Sequence, residues 1–204
     1  DFIINEDASI STVLGFSSEA DTLLGMEGSG AYSLNGSQSS TTYLGTKFHL
    51  NLTENITAFG QGILGHTDLS EPSDSIIVGA DNVISTSFSS GISKSKIFAD
   101  DKLSFQITQP PRIETGDLDL GLIKSYDHLG NITHDILSVK LQPTGRQIDY
   151  GMSYSVNIDE TSSVKLKGIY VQQPGHVQSE KDFLSGFLGY GHTEHRIGIG
   201  ANTR

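Results

Sequence analysis

The stretch "IDYGMSYSVNI", residues 148 to 158, alternates without a break. Ile148, Tyr150, Met152, Tyr154, Val156 and Ile158 fall on one parity; Asp149, Gly151, Ser153, Ser155 and Asn157 fall on the other. Successive side chains of an extended chain point to opposite sides, so a period of two writes one apolar face and one small or polar face. A helix would scatter these residues around its circumference. The same pattern recurs in "KFHLNL" (Phe48, Leu50, Leu52), in "KLSFQIT" (Leu103, Phe105, Ile107) and in "HRIGIGA" (Ile197, Ile199, Ala201). Short polar knots at residues 53–55, 99–101 and 159–162 separate the runs and read as hairpin turns. Gly130-Asn131 marks another turn in "SYDHLGNITHD". Longer polar segments, 67–75 and 172–182, lie between hairpins.

One unit is written twice. "NLTENITAFGQGILGH" (51–66) and "NIDETSSVKLKGIYVQQPGH" (157–176) each run through a polar knot into alternation and close on Gly-His, at Gly65-His66 and Gly175-His176. The repeat reads as strand, tight turn and return strand, with the Gly-His pair where the return strand enters a longer loop. Roughly ten to twelve strands and no helix follow by regular spacing, which predicts an all-β antiparallel up-and-down meander. Short turns at one end and long loops at the other predict that the meander closes into a β-barrel; a soluble β-sandwich is the alternative. No Pro/Gly/Ser linker divides the 204 residues, so 1–204 reads as a single β-domain.

Charge and residue usage exclude several classes. With 24 acids against 13 bases the net charge is −11, which argues against nucleic acid as a partner. There is no cysteine, hence no disulfide framework, thiolate nucleophile or cysteine zinc site. The chain opens "DFIINEDASI", with neither Met nor a basic and apolar leader, and reads as a mature product or a fragment.

Catalytic and metal patterns are sparse. His192 and His195 form His-x-x-His, but on a single strand an odd offset separates the rings, so no metal site is expected there. Asp100-Asp101 falls in a turn; Asp117 and Asp119 share a strand face that holds a cation or meets water. "GDLDLG" and "GADN" lack the ligand spacing of an EF-hand loop. "GSGA" (28–31) reads as a small-residue strand segment rather than a nucleophile elbow, and "GTKFHL" lacks the first glycine of a phosphate loop. Catalytic, cofactor-binding and metal residues are therefore expected to be none, and no cofactor is expected. The sixteen aromatics are Phe and Tyr, and those on strands (Tyr43, Phe48, Tyr150, Tyr154, Tyr170) suit sheet packing or the girdles of a membrane barrel.

Four phrases in order, "TLLGMEGSGAYSL" (22–34), "DKLSFQITQPPRIETGDLDLGL" (101–122), "LQPTGRQIDYGMSYSV" (141–156) and "VQQPGHV" (171–177), resemble the C-terminal region of bacterial subtilisin-family serine peptidases of the autotransporter-like type. The resemblance covers most of residues 8 to 177. It implies a non-catalytic tail of a larger secreted protein, with a subtilase domain upstream as its covalently attached passenger. None of the Asp, His and Ser segments of that protease occurs here, so no catalytic residue carries over and this chain is expected not to be an enzyme. The implied role is to anchor or export the passenger at the outer membrane of a Gram-negative bacterium, against outer-membrane lipid. Length fits: residues 148–158 span ~36 Å extended and ~25 Å when tilted by about 45°. The rival is a soluble extracellular β-domain acting in folding, adhesion or self-assembly as a homo-oligomer, which the acidity and the Ser/Thr content favour.

Overall fold

The computed structural model describes residues 2–5, 7–98, 100–192 and 195–203, with the backbone alone at 2–5, 81 and 195–203. In chain order the strands are β1 (Phe2–Asn5), β2 (Ala8–Ala20), β3 (Thr22–Leu23), β4 (Met26–Glu27), β5 (Gln38–Thr53), β6 (Ile56–Leu69), β7 (Ile77–Ser95), β8 (Asp101–Tyr126), β9 (Ile132–Lys140), β10 (Ile148–Asn157), β11 (Ser162–Gln172), β12 (Phe183–His192) and β13 (His195–Thr203). Eleven of them form one antiparallel sheet ordered β1-β2-β5-β6-β7-β8-β10-β11-β12-β13, with β9 added to the far end of β8. A separate ribbon joins β3 to β4. The described residues contain two short 3₁₀ turns, Gly30–Tyr32 and Pro174–His176, and no α-helix. This is the antiparallel all-β meander that the alternation predicts.

Apart from the β3–β4 ribbon and the side branch β9, each strand of the sheet pairs with the next along the chain, so connections fall alternately at the two ends. At one end they are tight, as at residues 54–55 and 158–161. At the other they are long: 21–37 between β2 and β5, 70–76 between β6 and β7, and 173–182 between β11 and β12. The repeated unit is the β5–β6 hairpin and the β10–β11 hairpin. Its histidines part company, however. Gly65-His66 lies inside β6, paired with Tyr43 and Thr42, whereas Gly175-His176 lies in the 3₁₀ turn beyond β11. "GADN" (79–82) lies within β7, where Asn82 has a φ of 50° at a shift in register. Two further expectations are corrected. "GSGA" enters the first 3₁₀ turn instead of a strand. Strand β10 ends at Asn157, leaving Ile158 in the turn and 61% exposed.

The register sorts every central strand into two faces. Leu166 sits between Tyr154 and Leu188, Met152 between Phe105 and Gly168, and Leu44 between Leu14 and Leu64. The opposite parity carries Ser11, Lys47, Gln61, Ser89 and Thr108 in one row. Burial runs opposite to that of a water-soluble sheet. Leu14 is 74% exposed, Phe16 66%, Phe105 52% and Leu166 48%, while Ser39 is 1%, Thr67 0% and Ser93 5% exposed. The polar parity is thus the covered, inner face and the apolar parity the outward one. A glycine fits an aromatic ring to this outward surface, since a Cβ at Gly60 would overlap the Phe48 ring; on the inner face a Cβ at Gly15 would overlap the Tyr43 ring.

The compact apolar cluster lies off the sheet's centre, at the long-loop end. Leu23 and Leu34, from the β2–β5 connection, pack on Ile77, Ala80 and Val83 of β7 and Leu120 of β8. That connection also lines a cleft of about 380 Å³ with Pro111, Pro143 and His176, groups that come from β8 and from the connections before β10 and after β11. The first long loop therefore reaches from β2 across to β7, β8 and the segments flanking β10 and β11 at this end.

Candidate functional site: a polar clasp at the long-loop end

Three of the phrases that run separately in the sequence meet here. Arg112 of β8 is buried, and its guanidinium makes four hydrogen bonds. Nε donates to the Gly145 carbonyl (3.0 Å), one terminal nitrogen to the Ile113 carbonyl (3.3 Å) and to Glu114 Oε2 (2.5 Å), and the other to the Pro143 carbonyl (3.2 Å). Arg146, from the segment before β10, donates to the same Glu114 oxygen (2.7 Å) and to Gln109 Oε1. Thr86 Oγ1 of β7 donates to Glu114 Oε1 (2.7 Å), and Gln109 donates from its amide to Thr86 Oγ1 (3.1 Å). Both arginines and the Thr86 hydroxyl thus converge on one carboxylate. One carboxylate between two guanidiniums, with its remaining lone pairs occupied, is the condition under which a covered ion pair is held rather than merely tolerated.

The third strap is the 3₁₀ turn. His176 Nδ1 accepts from the Gln147 amide (2.9 Å), and Nε2–H donates to the Pro111 carbonyl (3.0 Å), which fixes the neutral Nε2–H tautomer. Gly175 N–H donates to Gln147 Oε1 (2.7 Å), the Arg146 amide to Gln173 Oε1 (2.8 Å), and the Gln173 amide to Asp182 Oδ1 (2.9 Å). Gln173 and His176 both sit at positive φ, 48° and 61°. These bonds offset the cost of that left-handed backbone.

Burial, with the positive charges of Arg112 and Arg146 behind it, lowers the His176 pKa from 6.5; the bond to Pro111 and the Glu114 charge oppose without prevailing. A depressed histidine favours folding while neutral, so its contribution is present above pH 6.5 and is lost as the pH falls below that value. The urea midpoint of the wild-type chain is expected to fall between pH 8 and pH 5, and that of His176→Gln to fall less. Equal slopes in the two proteins would remove His176 as the source.

The clasp is chemically saturated. Its hydroxyl and imidazole groups are committed to partners, no nucleophile stands beside a free base, and it orders backbone segments rather than presenting reactive atoms. Elsewhere, His192 Nδ1 is 3.1 Å from Ser162 Oγ, and His66 Nδ1 is 3.7 Å from Asp68 Oδ2. The register pairs His192 directly with His195 across the β12–β13 hairpin, so their backbone positions share a face; the single extended strand expected for His-x-x-His is a hairpin. The His195 side chain lies outside the described residues. Asp119 accepts from Ser138 Oγ across the β8–β9 ladder. Asp101, expected in a turn, instead begins β8, buried, accepting from the Ile97 amide (2.6 Å) and Tyr154 hydroxyl (2.8 Å). Among the described residues no three His, Asp or Glu side chains converge as a metal site.

No protein-family model matches the chain, and neither the curated proteins nor the solved structures give a match.

Proposed function

We propose that this chain is the non-catalytic, membrane-spanning β-domain of a secreted or cell-surface protein, closed into a barrel and holding an attached passenger at an outer membrane. The observation that carries this reading is the inversion of the sheet, with most of the large apolar side chains outward and the polar rows inward, Val13, Phe59, Ile63 and Phe187 being among the inward exceptions. At about 25 cal/mol per Å² of apolar surface, a face this size left in water is a standing cost that lipid contact removes. Closure would pair the edge strands β1 and β13, which otherwise present free backbone groups. From Val164 to Tyr170, β11 advances about 20 Å, or about 14 Å along the barrel axis when tilted by about 45°, which fits inside an apolar band of about 25 Å. Tyr170 stands at the loop end beside Tyr150, ring centroids 6.1 Å apart, and Tyr190 stands opposite Val164 toward the turn end. Such tyrosines suit the two interfacial girdles. The resemblance to subtilisin-family C-terminal regions suggests the passenger, a serine peptidase domain that this chain would serve without adding catalysis.

Cysteine labelling along β10 tests the reading on a chain with no cysteine of its own. After refolding into vesicles, Tyr150→Cys and Met152→Cys are expected to react with a lipid-soluble maleimide and resist a charged one. Ser153→Cys and Ser155→Cys are expected to react with the charged reagent. Rapid reaction of Met152→Cys with the charged reagent would support a soluble extracellular domain instead, and reaction independent of parity would remove the strand.

A further inference from the structure

The inner face separates charge in a way the whole chain does not. Acids outnumber bases by 24 to 13 overall, yet among the described side chains on the strands of the inner face, from the turn end up to the Asp149 row, the charged ones are lysines. Lys102 of β8 and Lys165 of β11 flank Ser155 in one row, and Lys167 stands beside Ser153, which faces Ser104 in the next. Lys47 lies on the same face between Ser11 and Gln61. All four lysines are exposed, and none takes part in the ion pairs of the described residues. At the adjoining turn end, Asp100 accepts from Asn157 Nδ2 (2.6 Å) and Asp159 from the Thr161 amide (2.8 Å), and with Glu160 they line a hollow beyond the lysine rows.

We infer that the patch formed by Lys102, Lys165 and Lys167 around Ser153 and Ser155 is an anion site on the wall of a wet lumen, suited to small carboxylate or phosphate-type solutes. Unpaired ammoniums alternate there with hydroxyls that can donate, so an entering anion meets both charge and hydrogen bonds. The inference rests on the proposed membrane reading for the word lumen, but the sign of the local potential does not depend on it.

The probe is Ser153→Cys, refolded into vesicles and treated with an anionic or a cationic methanethiosulfonate of similar size. Two ammoniums about 7 Å away, screened at 0.15 M salt, give an expected rate ratio of about five in favour of the anionic reagent. The ratio is expected to rise as salt is lowered, with no substitution needed, and to collapse toward one in Lys165→Gln/Lys167→Gln. A ratio at or below one, or a ratio that survives loss of both lysines, overturns the anion site. Met152→Cys in the same preparation reports separately: its reaction with either charged reagent at the rate of Ser153→Cys would sink the membrane reading and leave the measured sign standing.

Discussion

Arg112→Leu is expected to destabilise the folded chain by about 3–5 kcal/mol, the usual result of removing one partner from a covered ion pair. The side chains of Arg112 and Glu114 are 6% and 22% exposed, so solvent screens their contact weakly. The substitution keeps the stem's volume and deletes four hydrogen bonds. It leaves the carbonyls of Gly145 and Pro143 without the donors that now fix the segment before β10. Arg146→Leu is expected to cost less than half as much. Its side chain is 46% exposed, and without it Glu114 keeps Arg112 and Thr86 as partners. Arg112→Lys is not expected to rescue, because a single ammonium cannot reach two carbonyls and a carboxylate in the directions of a planar fork. Urea unfolding followed by far-UV circular dichroism measures all three, since the chain has no tryptophan. Equal costs for Arg112→Leu and Arg146→Leu would show that the clasp does not depend on the buried guanidinium.

The two faces were legible in the sequence because strand parity is a local property: "IDYGMSYSVNI" assigns Tyr150, Met152 and Tyr154 to one side whatever they pack against. Which side would be covered was not. Parity says nothing of what covers a face, and it is Ser39, Thr67 and Ser93 that are buried. The length of β8 was hidden for a different reason. Pro110 and Pro111 break a strand on ordinary grounds, yet β8 runs through them. Its pairing with β10 ends at Thr108 and its pairing with β9 begins at Asp117, so on that side the missing amides have no ladder to break. On the other side, a register shift between Thr86 and Phe88 takes up the irregularity. The clasp was visible only as scattered phrases. Gln109, Arg112 and Glu114, then Arg146 and Gln147, then Gln173 and His176, are residues with no shared spacing. Their meeting depends on three connections ending at the same end of the sheet. A signal did exist in the polar, Pro- and Gly-containing character of all three phrases, which suits ordered loop ends better than strand interiors.

Leu166→Arg is expected to separate a lipid-facing sheet from one that faces water by the size of a single number. Leu166 is 48% exposed on the outward face, between Tyr154 and Leu188 and far from either end of its strand. If that face meets water, a half-exposed leucine replaced by arginine changes stability within about 0.5 kcal/mol. If it meets the middle of a bilayer, the same change costs about 2–4 kcal/mol, because a guanidinium must be carried into hydrocarbon or drag water and headgroups inward. Depth gives the internal control. Tyr170→Arg on the same strand face, nearer the loop end, is expected to cost about 1 kcal/mol or less, since arginine there reaches the interface. Ser155→Arg, across the sheet on the inner face, is expected to report the lysines instead: its cost comes from like charges at Lys102 and Lys165 and shrinks as salt is raised. Reversible folding into vesicles, titrated with urea, supplies the three values. A Leu166→Arg cost indistinguishable from that of Tyr170→Arg, with both near zero, would leave the outward face in water and require another protein surface to cover it.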